Sequence, residues 1–255
     1  MPPTKARPVA LPDTSASLFL AVPRVCTYLG TTRLTCASGF FFERTSRLFL
    51  VTSRHVLFDE RGKHFPDRLE LELHLDAIDL TLATRFSVPL YHSAGATWCQ
   101  GRDSGGEVDV AVLELDRGKM PAGSIIRAFT PAHLVKDDRE VCVGASLLVV
   151  GFPLGFHDAL HHLPVLRHAV MASPYGIRFQ GQGLFLTDAR THRGTSGAPV
   201  VMRDPDQAIG AAMLPWKLLG VHSSRMDMGD RDHELDESLG LNCAWYADIL
   251  LALTR

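Results

Sequence analysis

The residues best suited to chemistry surround Ser196, which lies among small residues in the segment Gly194-Thr195-Ser196-Gly197. Small neighbours let the backbone bend sharply, so that the hydroxyl is presented outward. The backbone N–H groups of Gly194 and Ser196 can then converge on one point beside it. Such donors can hold a developing oxyanion, and each changes the rate of acyl transfer by about 100- to 1,000-fold. The segment predicts a nucleophilic serine with an oxyanion hole formed by Gly194 and Ser196.

A base and an orienting acid for this serine occur earlier in the chain. His55 follows the apolar run 49–51, so its imidazole is expected at the end of a strand. Asp109 opens the alternating apolar stretch 108–115, which predicts a partly buried carboxylate at a strand edge. A buried carboxylate can fix the imidazole tautomer and stabilise the imidazolium that forms on proton transfer. The residues predict a catalytic triad of His55, Asp109 and Ser196.

Many short strands must position these three residues. The segment 68–76 alternates apolar and polar side chains with a period of two, as expected for a strand with one solvated face. Further strands are expected in a first unit at 40–42, 48–51, 82–88 and 108–115, and in a second unit at 146–150, 165–172, 183–187, 198–202 and 218–223. We therefore expect an all-β protein with a linker between the units near 119–131.

The two ends of the chain differ from this pattern. Residues 1–16 are rich in proline and small polar residues and are expected to form a flexible arm. The segment 242–253 has apolar residues at helical spacing, with Asn242 as the expected helix cap. The acidic stretch 227–238 lacks the ligand spacing and central glycine of a calcium-binding loop, so a solvated surface loop is expected there.

Composition excludes several classes of function. The chain has 255 residues, of which 46% are hydrophobic, enough for one full core or two small barrels. Its net charge of −2 provides no basic field for nucleic acid. No stretch approaches the ~20 apolar residues of a membrane span, and the N-terminus lacks the apolar segment of a signal peptide. We expect neither a nucleic acid nor a membrane among the partners.

Cysteine and histidine usage favours a reduced compartment and no metal. The five cysteines are scattered, without zinc spacing or a dense disulfide framework, and lie at 26, 36, 99, 142 and 243. A cytoplasmic location is therefore expected. Four histidines cluster at 157, 161, 162 and 168, but no cysteine or carboxylate accompanies them at regular ligand spacing. We expect a surface loop there, and neither a metal nor a cofactor.

Five blocks in order resemble the trypsin-like, chymotrypsin-fold serine peptidases, and are most similar to their bacterial HtrA-like and glutamyl-endopeptidase-like branches. The blocks span most of residues 17–225 and read ASGFFF (37–42), TSRHV (52–56), EVDVAV (107–112), GFPLG (151–155) and TDARTHRGTSGAP (187–199). Thr195 replaces the usual Asn or Asp, and Ala198 replaces the usual Gly. Neither change removes a group of the triad.

The resemblance implies a fold and a reaction. The fold would be two six-stranded antiparallel β-barrels with a C-terminal α-helix: a first barrel at 17–120 carrying His55 and Asp109, a second at 121–240 carrying Ser196 and the specificity pocket, and the helix at 241–255. The reaction would be hydrolysis of a protein or peptide substrate through an acyl-enzyme. No appended PDZ-like domain is expected after residue 225.

The resemblance also suggests a substrate preference. Thr191 and His222 match the threonine and histidine with which glutamyl endopeptidases hold an acidic side chain, and Ser223 and Arg190 are further candidate substrate contacts. A hydroxyl and an imidazole can both donate to a carboxylate, and Arg193, like Arg190, would add positive potential if it faced inward. The hypothesis is cleavage after Glu or Asp. The alternative is that His222 packs within its strand and the pocket accepts small apolar residues.

Two expectations concern regulation. Thr195 occupies the position of the aspartate that pairs with a new N-terminus in trypsin, so no zymogen switch of that kind is expected. The alternative to an active endopeptidase is a catalytically silent or partner-activated scaffold that binds protein partners, and a regulatory protein partner is compatible with either.

Overall fold

The structure is a computed structural model that describes residues 16–206, 214–225 and 240–255. The expected acidic loop at 227–238 and, apart from Ala16, the expected arm at 1–16 lie outside the described residues. Within them, none of the helices has the length and hydrophobicity needed to cross a bilayer. The predicted all-β architecture with two barrel-like units and a short C-terminal helix is confirmed.

The first unit consists of two four-stranded antiparallel sheets and a small hairpin. In chain order its elements are β1 (Arg24–Leu29), β2 (Thr32–Ser38), β3 (Phe40–Arg44), β4 (Arg47–Thr52), α1 (Arg54–Leu57), β5 (Arg68–His74), β6 (Ala83–Pro89), β7 (Tyr91–His92), β8 (Gly95–Ala96), β9 (Trp98–Asp103) and β10 (Gly106–Leu115). One sheet has the order β2-β1-β5-β6 and the other β3-β4-β10-β9. Their facing apolar side chains, including Val25, Leu50, Leu71 and Leu113, form one core.

Gly39 joins the two sheets of the first unit. It is the single residue between β2 and β3, so these strands are two halves of one chain segment that passes from sheet to sheet. A Cβ atom at Gly39 would lie 2.9 Å from Leu50 Cδ1, Val25 Cγ2 and the Val51 carbonyl oxygen, which leaves no room for a side chain. Glycine at such a corner allows the close backbone approach that a barrel bend requires.

The second unit is a closed six-stranded antiparallel barrel. Its strands are β11 (Ser146–Gly151), β12 (Val165–Met171), β13 (Leu184–Asp188), β14 (Pro199–Arg203), β15 (Trp216–Arg225) and β16 (Leu241–Tyr246), followed by a 3-10 turn at Ala247–Ile249 and α2 (Leu250–Leu253). The strand order around the barrel is β11-β12-β13-β16-β15-β14. Further 3-10 turns lie at Ala16–Ala21, Arg117–Lys119, Pro131–His133, Asp138–Glu140, Pro153–Gly155 and Phe179–Gly181.

The C-terminal helix begins later than the sequence predicts. Asn242 is not a helix cap but a buried residue of β16, where its side-chain amide donates to the carbonyls of Ala189 at 2.7 Å and Gly240 at 2.9 Å. Pairing with β13 and β15 extends the strand to Tyr246, because it completes the barrel. The helical segment is therefore confined to 247–253.

A shared apolar core holds the two units together. The largest cluster of buried side chains contains residues of both, among them Phe42 and Val110 from the first and Phe152 and Trp245 from the second. Phe129, on the connection between the units, is fully buried in it and meets the ring of Phe40 edge-to-face at 5.7 Å. The loops that follow β4, β10 and β13 are thus fixed on a common interface.

One pair of cysteines forms a disulfide, although the sequence shows no dense disulfide framework. Cys26 and Cys36 form a disulfide across β1 and β2, where they are directly opposite with Cα atoms 4.0 Å apart. Sequence reasoning missed the pair because it depends on the register of the hairpin rather than on a cysteine pattern. Cys99, Cys142 and Cys243 are free thiols.

Candidate active site

His55 and Asp109 meet at the interface of the two units. His55 lies in the single helical turn α1 immediately after β4, one step beyond the strand end that the sequence predicts. Its Nδ1 is 2.6 Å from Asp109 Oδ2, and its backbone N–H donates to Asp109 Oδ1 at 2.9 Å. One carboxylate therefore holds both the ring and the backbone of His55, which fixes the imidazole with Nε2 as its remaining ring nitrogen.

A β-bulge aims Asp109 at the histidine. The register between β10 and β9 shifts between Val108 and Ala111, which leaves Asp109 and Val110 without regular partners on β9. A bulge bends the strand locally and redirects its side chains. Here it keeps Val110 fully buried, while Asp109 remains only partly exposed beside α1.

A third donor reaches Asp109 from the second unit. The hydroxyl of Ser223, on β15, donates to Asp109 Oδ2. The hydroxyl is directed at this carboxylate and not at the predicted substrate pocket, so it positions the acid instead of contacting the substrate. The carboxylate thus accepts hydrogen bonds from both units.

The environment of His55 makes it a stronger base. Burial lowers the pKa of the imidazole, because a buried cation loses hydration. The hydrogen bond and the negative charge of Asp109 act in the opposite direction and prevail, so the pKa of His55 is raised above its ordinary value. A proton that reaches this imidazole is therefore held more tightly than by a solvated histidine.

Ser196 lies in a turn that contacts both neighbouring strands. Its carbonyl accepts from the Ser38 N–H at 3.0 Å, and the next N–H, that of Gly197, donates to the His222 carbonyl at 2.8 Å. The Ser196 hydroxyl donates to the Ser223 carbonyl at 3.0 Å. Because a hydroxyl has only one proton, this conformation does not donate to His55 at the same time. Rotation of the serine side chain is needed before the proton can be shared with the imidazole.

The peptide bond between Arg193 and Gly194 is held by the turn at Pro153–Gly155. The Arg193 carbonyl accepts from the Leu154 N–H at 2.5 Å. In a trans peptide the C=O and N–H point in opposite directions, so the Gly194 N–H points away from Leu154. In the described part of the chain, neither this N–H nor that of Ser196 donates to a backbone carbonyl. The two N–H groups predicted to form an oxyanion hole are thus not used in backbone pairing among the described residues.

Glycine is required at position 194. Its φ is +91°, a conformation that other residues rarely adopt, and a Cβ there would lie 2.5 Å from the Phe152 carbonyl oxygen. A side chain would therefore force the turn at Pro153–Gly155 away and release the Arg193 carbonyl.

Ser38 supports this peptide from behind. Its fully buried hydroxyl donates to the Gly194 carbonyl at 2.8 Å and accepts from the Phe152 N–H at 2.9 Å. Its own carbonyl accepts from the Thr52 hydroxyl at 2.8 Å. Ser38 thus connects a strand of the first unit to both backbone segments that shape the predicted hole.

The predicted substrate contacts separate into two groups. Thr191, His222 and Ser223 are buried around β15 and β16. The Thr191 hydroxyl donates to Asn242 Oδ1 at 2.5 Å, so its only proton is already used within the protein. His222 is 2% exposed, and its carbonyl accepts from the Ser53 hydroxyl at 3.1 Å as well as from Gly197.

The two arginines considered as sources of positive potential in the substrate pocket, Arg190 and Arg193, are both exposed to solvent. Arg190 is exposed, and its carbonyl accepts two hydrogen bonds from the Arg167 guanidinium at 2.7 and 2.9 Å. Arg193 is also exposed and lines a different cavity, together with residues of β2 and of the turn Pro153–Gly155.

The histidines predicted to cluster after Gly155 lie in the loop after β11 and, for His168, on β12, and they have individual partners. His161 Nδ1 is 2.7 Å from Asp158 Oδ2, and His168 Nε2 is 2.9 Å from the Ser146 hydroxyl. Among the described residues, no group of three or more histidine, cysteine or acidic side chains is arranged to hold a metal ion.

Comparison with known families decides the classification. A family model for the trypsin-like peptidase domain matches residues 37–210, which include His55, Asp109 and Ser196. The chain belongs to the trypsin-like peptidase family. No curated protein matches it at a significant level.

Solved structures of serine proteases share its fold. The HtrA-type protease AlgW, solved with a tripeptide, superposes with a TM-score of 0.57 at 16% identity; the match covers 94% of this chain and 61% of AlgW. An inactive serine-to-alanine mutant of Rv3671c from M. tuberculosis gives a TM-score of 0.52 at 15% identity, with 98% and 95% coverage. The serine endoprotease from Yersinia pestis gives 0.52 at 16% identity, with 96% and 66% coverage. This chain therefore spans less than two thirds of the length of AlgW.

Sequence reasoning missed the structural roles of three residues of this peptidase domain. Ser38 and Ser223 act through hydrogen bonds to residues more than a hundred positions away, and Asn242 was assigned to a helix. The only local signal was that Ser38 lies in the first block of the family resemblance and Ser223 in the strand assigned to the substrate pocket. Neither position indicates which group the hydroxyl contacts.

Replacement of Ser38 tests its supporting role. Ser38→Ala would leave the buried Phe152 N–H and Gly194 carbonyl without partners, so we expect the free energy of unfolding to fall by about 1–3 kcal/mol. Urea denaturation followed by fluorescence measures this change. Ser93→Ala, at an exposed serine between β7 and β8, is the matched control and should change stability by less than about 0.5 kcal/mol. Equal stability of the two variants would contradict the supporting role.

Proposed function

We propose that this protein is a serine endopeptidase that uses Ser196 as nucleophile, His55 as general base and Asp109 as the orienting acid. The observation that carries the proposal is the double contact of Asp109 with His55, at 2.6 Å to Nδ1 and 2.9 Å to the backbone N–H. A carboxylate that holds the ring and the backbone together restricts the imidazole to one tautomer and one orientation. Membership of the trypsin-like peptidase family supports the same assignment.

The first half of the reaction begins at Ser196. Its hydroxyl leaves the Ser223 carbonyl and turns toward Nε2 of His55, which removes the proton as the oxygen attacks the substrate carbonyl. Asp109 stabilises the imidazolium so formed. The N–H groups of Gly194 and Ser196 receive the negative charge that develops on the substrate oxygen.

The second half releases the products. The imidazolium of His55 gives its proton to the leaving amine, which departs and leaves an acyl group on Ser196. Water, deprotonated by the same histidine, then attacks the acyl-enzyme and regenerates the serine. No metal or cofactor is needed to balance these steps.

Labelling with a fluorophosphonate probe tests the nucleophile. The probe should react with the folded wild-type chain and not with Ser196→Ala, whose hydrolysis of peptides should be lower by about six orders of magnitude. Ser93→Ala should label like the wild type, because that serine is exposed in the turn between β7 and β8. Mass spectrometry of the labelled peptide identifies the modified residue. Absence of labelling in folded protein would argue against an autonomous enzyme.

The pH dependence of labelling tests the base. His55 must be neutral to accept the serine proton, so the labelling rate should rise with pH through an apparent pKa above the ordinary value of about 6.5. Asp109→Asn removes the charge that raises the pKa of His55, while burial still lowers it. The rise of the labelling rate should therefore occur at lower pH in this variant, and its maximal rate should fall by about 10,000-fold. Stopped labelling assays between pH 5 and 9 measure both. If the labelling rate of Asp109→Asn rose at the same pH as that of the wild type, the role of Asp109 would be contradicted.

We further propose that the enzyme cleaves after Glu or Asp. The buried His222 is the central residue of this preference, because it matches the histidine with which glutamyl endopeptidases hold an acidic side chain. An imidazole N–H can donate to a substrate carboxylate, while Thr191, whose hydroxyl proton is used on Asn242, contributes to the shape of the pocket. A pocket for small apolar residues is the competing specificity.

A digest of proteome-derived peptides discriminates the two. Cleavage should occur mainly after Glu and Asp, and His222→Gln should lower kcat/KM for these sites by about 10- to 100-fold, the effect of losing one charge-assisted hydrogen bond. Val221→Ala is the comparison variant, since it alters the same strand without a polar group. Cleavage mainly after Lys, Arg or Val would eliminate the acidic preference.

A partner-activated scaffold is the second candidate. It is favoured by one observation, the hydrogen bond from the Ser196 hydroxyl to the Ser223 carbonyl, which keeps the nucleophile turned from its base. In that case a regulatory protein would be needed to shift the serine rotamer, and the isolated chain would label only in its presence.

A further inference from the structure

A positively charged cavity adjoins the oxyanion donor Gly194. Its volume is about 440 Å³, and its lining includes Arg24, Arg33, Arg193 and Gly194, with the apolar side chains of Leu34 and Leu154. No acidic residue lines it. The cavity therefore combines cationic groups with an apolar wall directly beside the position proposed for the reacting carbonyl.

Its place in the fold assigns it to one half of the substrate. The cavity is formed by β2, the turn Pro153–Gly155 and the segment before the nucleophile, and no residue of β15 lines it. Strand β15 carries His222 and Ser223, which contact the nucleophile loop from another side. If the acyl half of a substrate binds along β15, as the proposed function requires, then an extended leaving half runs toward β2 and enters this cavity.

The three arginines differ in how far their charge is compensated. Arg24 lies 3.0 Å from Glu72 and its guanidinium also contacts His157, so its charge is largely balanced. Arg33 and Arg193 are exposed, and within the described residues neither forms a salt bridge. Arg33 also borders a small hollow containing Glu70, but Glu70 is paired with Arg68 at 3.2 Å. Two uncompensated guanidinium groups therefore face the cavity.

A carboxylate is the ligand that fits these groups. Guanidinium donors form paired, charge-assisted hydrogen bonds with the two oxygens of a carboxylate. An extended peptide advances about 3.3 Å per residue, so the first two residues after the cleaved bond lie within about 7 Å of the reacting carbonyl. Both are within reach of the cavity beside Gly194.

We propose that this cavity is a subsite for a carboxylate on the leaving half of the substrate, bound by Arg193 and Arg33 one or two residues after the cleaved bond. The carboxylate belongs either to a Glu or Asp side chain or to the C-terminus of the substrate. This inference rests on the proposed function for the direction of the substrate, and it adds a second recognition site to that function.

Binding to an uncleavable form tests the subsite independently of turnover. The Ser196→Ala chain is titrated with fluorescent, C-terminally amidated peptides that differ only in having Glu, Gln or Lys at the second position after the cleavable bond. The Glu peptide should bind about three- to tenfold more tightly than the Gln peptide, the range for one partly exposed charge contact, and Lys should bind most weakly. Higher salt should reduce the difference.

Variants and a second peptide pair locate the effect. Adding Arg193→Gln or Arg33→Gln to Ser196→Ala should bring the Glu-to-Gln affinity ratio toward one, whereas Arg102→Gln, at an exposed arginine on β9, should preserve it. A Gln peptide that ends at the second position with a free carboxylate, compared with its amide, separates a chain terminus from a side chain.

The outcomes distinguish this inference from the proposed function. A Glu preference that depends on Arg193 or Arg33 supports the subsite even if the wild-type chain cleaves no peptide, a result that would count against the peptidase proposal alone. Cleavage of peptides with equal affinity for Glu and Gln, and for the free terminal carboxylate and its amide, would overturn the subsite and leave the peptidase proposal intact. A Glu preference that persists in both variants would also overturn it, as would failure of Ser196→Ala to bind any of the peptides.

Discussion

The carboxylate of Asp109 is the interaction on which the site depends. It accepts hydrogen bonds from the backbone and ring of His55 in the first unit and from the Ser223 hydroxyl in the second. An ionised carboxylate withdrawn from water is stable only when such donors replace the lost hydration. The two units must therefore be in register for Asp109 to receive all three hydrogen bonds, and His55 and Ser223 are thereby held on the same carboxylate.

The nucleophile loop depends equally on the first unit. Ser38 contacts the loop through its hydroxyl, at Gly194, and through its N–H, at Ser196. Gly197 is so close to the first unit that a Cβ there would lie 2.3 Å from the Ser38 carbonyl oxygen and the Thr52 hydroxyl. Neither barrel contains a complete site. The geometry is a property of their interface, and the shared core around Phe129 maintains it.

The parts that sequence reasoning predicted are those that leave a local signal. Strand alternation, the small residues around Ser196 and the apolar context of Asp109 each reflect constraints within a few positions. Together they predicted an all-β protein and the candidate triad, whereas the two-barrel arrangement came from the family resemblance. The contacts of Ser38 and Ser223 and the Cys26–Cys36 pair were missed, because each depends on which distant segments come into register. Asn242 was misassigned for a related reason: an apolar period of helical spacing is overridden when a strand completes a closed barrel.

The bend at Gly39 has a consequence for how the loop around Ser196 is assembled during folding. Ser38 lies next to this corner, on a segment that passes from one sheet of the first unit to the other and also contacts the Ser196 loop of the second unit. The loop that contains Ser196 therefore reaches the geometry described above only when segments of both units are in place. A chain in which either unit is unfolded has Ser196 but lacks the contacts from Ser38 that shape its loop.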